Sequence, residues 1–298
     1  MIARPSTGDR TLAIATGACI VLVLVMVAAI FGTLISWGGP ALSLRFFTAA
    51  PTSDLAGGGI LPAVLGTAMV TLIMTLAGVP VGVATAVWLV EYAPPGAHTT
   101  RIVRSAVRNL AAVPSIVFGL FGLGFFVLFV GRGLDGALGE AVPRFGRPSV
   151  LWAGLTLALL TLPVVIVTSE EALRSVPEAA REGALALGAT RLQMVWHVVL
   201  PQATSGILTG LVLAVSRGAG EVAPLLFTGV ANYQPALSVD PTAGFMHLGH
   251  HVYVLATQSP DIDATRPRLA ATALVLVMLT FALNLIALVL RGRTRRPT

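Results

Sequence analysis

Residues 170–202 read EEALRSVPEAAREGALALGATRLQMVWHVVLPQ and separate two long apolar runs. The stretch holds two helix starts in succession. Ser175 stands where an N-cap would, with Glu178 three residues later and Pro177 in the first turn, which predicts a helix to about Leu187. Gly188 then suits the left-handed position just past a helix end. Thr190 with Gln193 repeats the capping spacing, and Pro201 is expected to end the second helix before the next apolar run. A helix, a sharp glycine turn and another helix would expose Leu185, Leu187, Leu192 and Met194 at the turn. Exposed apolar side chains in a charged segment fit docking to a partner protein. They fit equally an amphipathic helix lying among lipid headgroups.

The flanking runs set the solvent. Of 298 residues 55% are hydrophobic and 11% charged, about half the charge of an ordinary soluble domain. Six apolar runs are long enough to cross a bilayer: roughly 11–37, 60–92, 110–130, 150–168, 203–230 and 269–290. The fold class expected is all-α, a polytopic membrane protein with six transmembrane helices. The first run is too long for a signal-peptide core and has no convincing cleavage site before Trp37, so it reads as an uncleaved helix. The chain then divides into residues 1–59 (first helix and outer loop), 60–290 (the main transmembrane domain, with the polar loop 170–202) and a basic tail, 291–298. The segments 38–59 and 231–268, rich in Gly, Pro, Ser and Asp, read as irregular outer loops.

All 19 basic residues are arginine. With the N-terminus inside, twelve arginines fall in inner segments and six in outer loops, so the arginine bias places both termini in the cytoplasm. The net charge of +6 is thereby read as orientation and not as nucleic-acid binding. The absence of lysine excludes a conventional P-loop, which needs one to reach nucleotide phosphates. The lone Cys19 has no disulfide or metal partner and reads as lipid-facing filler. His247, His250 and His251 are read as exposed loop histidines, and no cluster has metal-ligand spacing. The spans contain Ser and Thr but no His at depth, which disfavours an intramembrane hydrolase.

Arg217 and Glu221 interrupt the fifth run. On a continuous helix an i, i+4 pair shares one face and can form an ion pair. Arg217 lies about 24 Å along that helix from Pro201, at 1.5 Å per residue. A charge inside the bilayer costs about 3 kcal/mol or more, so an intramembrane pair is a candidate functional site. The plainer reading is a neutralised pair that fixes helix packing. Gly78, Pro80 and Gly82 interrupt the second run and Pro163 the fourth, as hinges or as packing irregularities. Glu91 ends the second run at the cytoplasmic interface, in an expected structural role.

Glu182, Gly183, Ala184, then Gly188, then Val198, Leu200 and Pro201 match the spacing of the EAA loop of ABC importer permeases, with Gly183 for the middle Ala and Val198 for Ile. Further stretches resemble the A-type permease family of phosphate importers (PstA): GGGILPAVLGT (57–67), VEYAPPG (90–96), NLAAVPSIVFGLFGL (109–123), TLPVVIVTSEEALRSVP (161–177) and SRGAGEVAPLLFTG (216–229). Ala112 stands where that family carries Gly. The sister C-type subunit has similar segments.

The resemblance implies a type I ABC importer permease fold. It implies that Glu182, Gly183, Ala184, Leu185, Leu187 and Gly188 form the coupling helix that docks in a groove of the ATPase subunit, and that Arg217 and Glu221 lie on the substrate path. The implied partners are a second permease subunit (C type), a dimer of ATP-binding subunits and an extracytoplasmic phosphate-binding protein. No cofactor is expected on this chain, because ATP and Mg2+ act at the partner ATPase. Other readings are an importer of molybdate or sulfate, and a membrane component of phosphate signalling.

Overall fold

Two membrane-length helices organise the molecule because small residues let their backbones approach. A computed structural model describes residues 7–52, 57–94, 96–234 and 238–294. Its helices in chain order are α1 (Thr7–Gly38), α2 (Leu44–Thr48), α3 (Leu61–Val87), α4 (His98–Ala111), α5 (Ser115–Phe121), α6 (Arg132–Leu138), α7 (Val150–Arg174), α8 (Glu178–Ala186), α9 (Arg191–Met194), α10 (Leu200–Gly220), α11 (Leu225–Thr228), α12 (Leu248–Thr257) and α13 (Ile262–Thr294). Wider π-helical turns at Trp88–Tyr92, Gly122–Gly131 and Val195–Val199 extend α3, join α5 to α6 and join α9 to α10. Among the described residues, six helices are long and apolar enough to cross a membrane. The side chains of Arg10 and the basic tail, like Arg4, lie outside what is described.

The most extensive contact is α3 on α7, followed by α10 on α7. A Cβ added at Gly82 of α3 would sit 2.6 Å from Cγ1 of Val165 on α7, and one at Gly78 would sit 3.3 Å from the Cβ of Ala158. The glycines of the second span therefore serve close packing. Pro80 and Pro163 lie inside α3 and α7, which continue through them. Val70, Met74, Val150, Leu157 and Leu225 are buried at this junction. Gly206 and Gly210 bring α10 equally close to Ala172 and Thr168 of α7. Helix α1 stands outside this bundle with its apolar surface exposed all round, Cys19 included, and touches chiefly α13. An all-apolar exposed helix is what a lipid environment allows.

Several boundaries differ from the sequence reading. The third span begins at Ser115, not Leu110, because Pro114 holds an extended conformation and ends the run. Its upstream part belongs to α4, an amphipathic helix carrying Arg101, Arg104 and Arg108. The fifth helix stops at Gly220, short of the expected Val230. Pro201 does not end a helix. The π turn at Val195–Val199 leads directly into α10, and Pro201 falls in the first turn of α10, where its missing donor is tolerated. The loop 231–268 is not wholly irregular, since it contains α12 and the start of α13.

Candidate translocation and coupling sites

The polar loop folds as a helical hairpin. Helix α8 ends with Gly188 at φ +83°, the left-handed turn expected there. Thr190 and Gln193 form the full capping box: the Gln193 amide donates to the Thr190 hydroxyl at 3.3 Å, and the Thr190 amide donates to Gln193 Oε1 at 2.8 Å. Ser175 does not cap α8. It sits past the end of α7, and its hydroxyl donates to the Ala172 carbonyl, while Pro177 precedes α8 without a side-chain cap. Leu187 is 91% exposed, and Leu185 and Leu192 are also exposed. Met194 is not, because it is buried with Ala172, Leu173 and Val195 under the hairpin. Glu182 and Gly183 point outward with Gly188, whereas Ala184 packs against that inner cluster.

The hairpin is fastened by a residue that charge counting had placed only among the inner arginines. Arg181 of α8 is buried. Its guanidinium donates to the carbonyls of Leu173 at 2.7 Å and Val176 at 2.6 Å, and makes two 3.1 Å bonds to Glu91 Oε1. A further contact reaches Glu178 at 3.3 Å. Glu91 lies in the π turn that closes the second span, so the interfacial role expected of it is a specific one. A planar guanidinium with its donors engaged on two helices and a π turn is a rigid link. Any force on α8 is thereby delivered to the second and fourth spans together.

Arg217 lies in the last turn of α10. Its Nε is 3.6 Å from Glu221 Oε1, an ion contact too long for a hydrogen bond. The pair does not share a helix face as expected. The helix ends at Gly220, and Glu221 has extended backbone at ψ 132°. Arg217 therefore stands where free carbonyls carry partial negative charge, a favourable place for a cation. Its side chain is about half exposed, and among the described residues it makes no hydrogen bond. The non-helical link 221–224 is partly covered by protein, and its last residue, Pro224, is buried: a Cβ on Gly119 of α5 would lie 2.7 Å from Pro224 Cα. Irregular backbone at membrane depth is tolerated where protein or a cavity covers it. Next to Arg217 on α10, the Ser216 hydroxyl donates to Asn284 on α13. Asn284, a lone amide in an apolar run, was the available sequence signal for that contact.

The three histidines are not exposed. His247 caps α12, its Nδ1 accepting from the Gly249 amide at 3.2 Å, and His250 and His251 follow on the helix, all three buried. Burial pushes His247 down to about 3 and His251 down to about 4, and lowers His250 as well. Among the described residues, no group of His, Cys, Asp and Glu is arranged to hold a metal.

Comparison with known proteins agrees with this architecture. Residues 78–296 match the family model described as binding-protein-dependent transport system inner membrane component. The chain is 38% identical over 215 residues to the phosphate transport system permease protein PstA of Xylella fastidiosa, covering 69% of this chain and 70% of that one. It is 32% identical over 272 residues to the probable PstA of Methanocaldococcus jannaschii, covering 91% and 89%. A bacterial alginate ABC transporter structure superposes with TM-score 0.69 at 17% identity, covering 97% of each chain, which shows a shared fold. A type I importer permease fold, six membrane-length helices and the hairpin between the fourth and fifth of them accompany the family match, and the chain belongs to the inner membrane components of binding-protein-dependent transport systems.

Proposed function

We propose that this chain forms half of the membrane path of an ABC importer for inorganic phosphate. A second permease subunit of the C type completes the path, an extracytoplasmic binding protein delivers phosphate to the outer loops, and two ATP-hydrolysing subunits dock on α8. Both termini face the cytoplasm, as the arginine bias favours. The chain has no lysine for a conventional phosphate-binding loop, so ATP with Mg2+ is assigned to the partner subunits. The observation that carries the reading is the similarity to PstA chains, which extends over 91% of this chain in the Methanocaldococcus jannaschii relative.

In this reading Arg217 meets the anion. A guanidinium stays charged at any physiological pH and matches two phosphate oxygens at once. Glu221 holds it loosely at 3.6 Å when the path is empty and competes with phosphate, which keeps the site from becoming a trap. ATP-driven closure of the ATPase dimer pulls on Leu185 and Leu187, and Arg181 passes the movement to Glu91 and the spans.

Uptake of radiolabelled phosphate at low external concentration, by cells with and without this gene, tests the proposal. Loss of an ATP-dependent component that sulfate and molybdate do not inhibit is expected. Unchanged uptake would redirect the assignment to another oxyanion. Replacement of Arg217 by Gln is expected to lower uptake about tenfold or more, the effect of losing one charge-assisted contact.

A further inference from the structure

A cavity of about 1060 Å³ opens between α4 and the coupling hairpin. Six arginines line it (Arg101, Arg104, Arg108, Arg174, Arg181 and Arg191), against two glutamates, Glu91 and Glu178. Arg101, Arg104 and Arg108 project from α4 at spacings of three and four, which puts them on one face. Arg104 and Arg174 share Glu170, at 2.9 and 2.7 Å, and Arg181 is held as described. Among the described residues, no carboxylate lies within ion-pair distance of Arg101, Arg108 or Arg191. The cavity therefore keeps a surplus of fixed positive charge.

Two further features mark what it is built to take. The Nε–H of Arg104 is buried without a hydrogen-bond partner, a costly omission for a charged donor. The N-terminus of α4 also borders the cavity through Ala97, Thr100 and Arg101, and no side chain caps it. Free amides at the positive end of a fourteen-residue helix favour an anion there. A charged donor left open, an uncapped helix end and arginine forks converge on the geometry that tetrahedral oxyanions satisfy.

We infer that this cavity binds a phosphate group, supplied either by free inorganic phosphate or by the headgroup of an anionic lipid, and that occupancy braces the coupling hairpin against α4. Arg191 belongs to the hairpin and Arg101 and Arg108 to α4, so one bound group among them ties the two together. Basic pockets beside membrane helices are known to take anionic headgroups, and free phosphate presents the same oxygens. The binding claim does not depend on what the path transports.

The test uses the full-length chain in neutral detergent, wild type against the double variant Arg101→Gln/Arg191→Gln. Both side chains are exposed and neither makes a hydrogen bond or ion pair within the chain, so the fold does not depend on them. Arg45→Gln, an exposed arginine far from the cavity, controls for charge. Thermal melting is followed while phosphatidylglycerol, phosphatidylcholine or inorganic phosphate is added, and native mass spectrometry identifies what stays bound. The wild type and the Arg45 variant are expected to melt higher with phosphatidylglycerol, with phosphate or with both, but not with phosphatidylcholine. The double variant is expected to need about tenfold more of the same probe. A retained lipid mass identifies the headgroup as the source, and a retained phosphate mass identifies the free ion. Equal responses from wild type and double variant to both anionic probes, or an equal response to phosphatidylcholine, would overturn the inference.

Discussion

At the scale of single residues, the most consequential contact joins Arg181 to Glu91. Both side chains are nearly withdrawn from solvent, at 10% and 5% exposure. Removing one partner from a buried pair strands the other, at a cost of about 3–5 kcal/mol. Arg181→Met is therefore expected to lower the melting temperature of the purified chain markedly. Adding Glu91→Leu to it should recover a large part of the loss, because the stranded carboxylate is gone. A double variant as unstable as the sum of the two single ones would mean that the residues do not act as a pair. Gly188 is a smaller case. Its φ of +83° costs an L side chain about 1–2 kcal/mol, so Gly188→Ala should weaken the turn that presents Leu187 without unfolding the chain. Gly188 was legible from its place after a predicted helix. The role of Arg181 was not, because its partner lies ninety residues away and charge counting cannot tell a buried arginine from a topological one.

Among the elements, the pairing of α3 with α7 is decided by small residues. An added side chain at Gly82 meets Val165, and a large one there would force the helices apart at a cost of about 1–3 kcal/mol. Gly82→Leu is expected to destabilise, and Val165→Ala in the same chain to relieve it, as read by thermal melting. Helix α12 makes a different prediction, in pH. Its three histidines titrate below their ordinary value of 6.5 because burial disfavours the charged ring. Above pH 6.5 they are neutral both folded and unfolded. As pH falls below that value, the unfolded chain takes up protons that the folded chain refuses, so stability is lost progressively towards pH 3–4. Replacing His247 by Gln should flatten that part of the melting profile. The six spans were readable because hydrocarbon thickness demands a long apolar run. Their breaks were less so. Hydropathy runs on through Gly220 to Pro224, where the backbone leaves the helix. The ten-residue α12 was hidden among Gly, Pro and Asp, and its histidines look polar until the surrounding helices bury them.

For the whole molecule, orientation is the property on which the functional reading depends. Cys19 is the lone cysteine, and Cys19→Ala gives a background for single reporters. In that background His98→Cys, exposed at the start of α4 between the second and third spans, should react with an impermeant maleimide only after cells are opened. Val142→Cys, exposed between the third and fourth spans, should react in intact cells. The hairpin was legible from the Thr190–Gln193 cap and the Gly188 turn, though not from Ser175, and its resemblance to the EAA loop is what favours docking over headgroup binding. The Arg217–Glu221 contact was legible as a pair of charges in an apolar run, though not as a helix end. The arginine-lined cavity was invisible in sequence, because the α4 and hairpin residues that face one another there are more than sixty positions apart.

The most direct measurement is ATP-driven uptake of radiolabelled phosphate into proteoliposomes containing the assembled transporter. It is made with the wild-type chain, with Arg217→Gln and with Leu187→Asp. Wild-type uptake that sulfate and molybdate do not inhibit is expected. Arg217→Gln should lose uptake while retaining ATP hydrolysis, and Leu187→Asp should lose stimulated hydrolysis together with uptake. Wild-type vesicles that hydrolyse ATP and import no phosphate, or an Arg217→Gln protein that imports it at the wild-type rate, would contradict the proposed phosphate path.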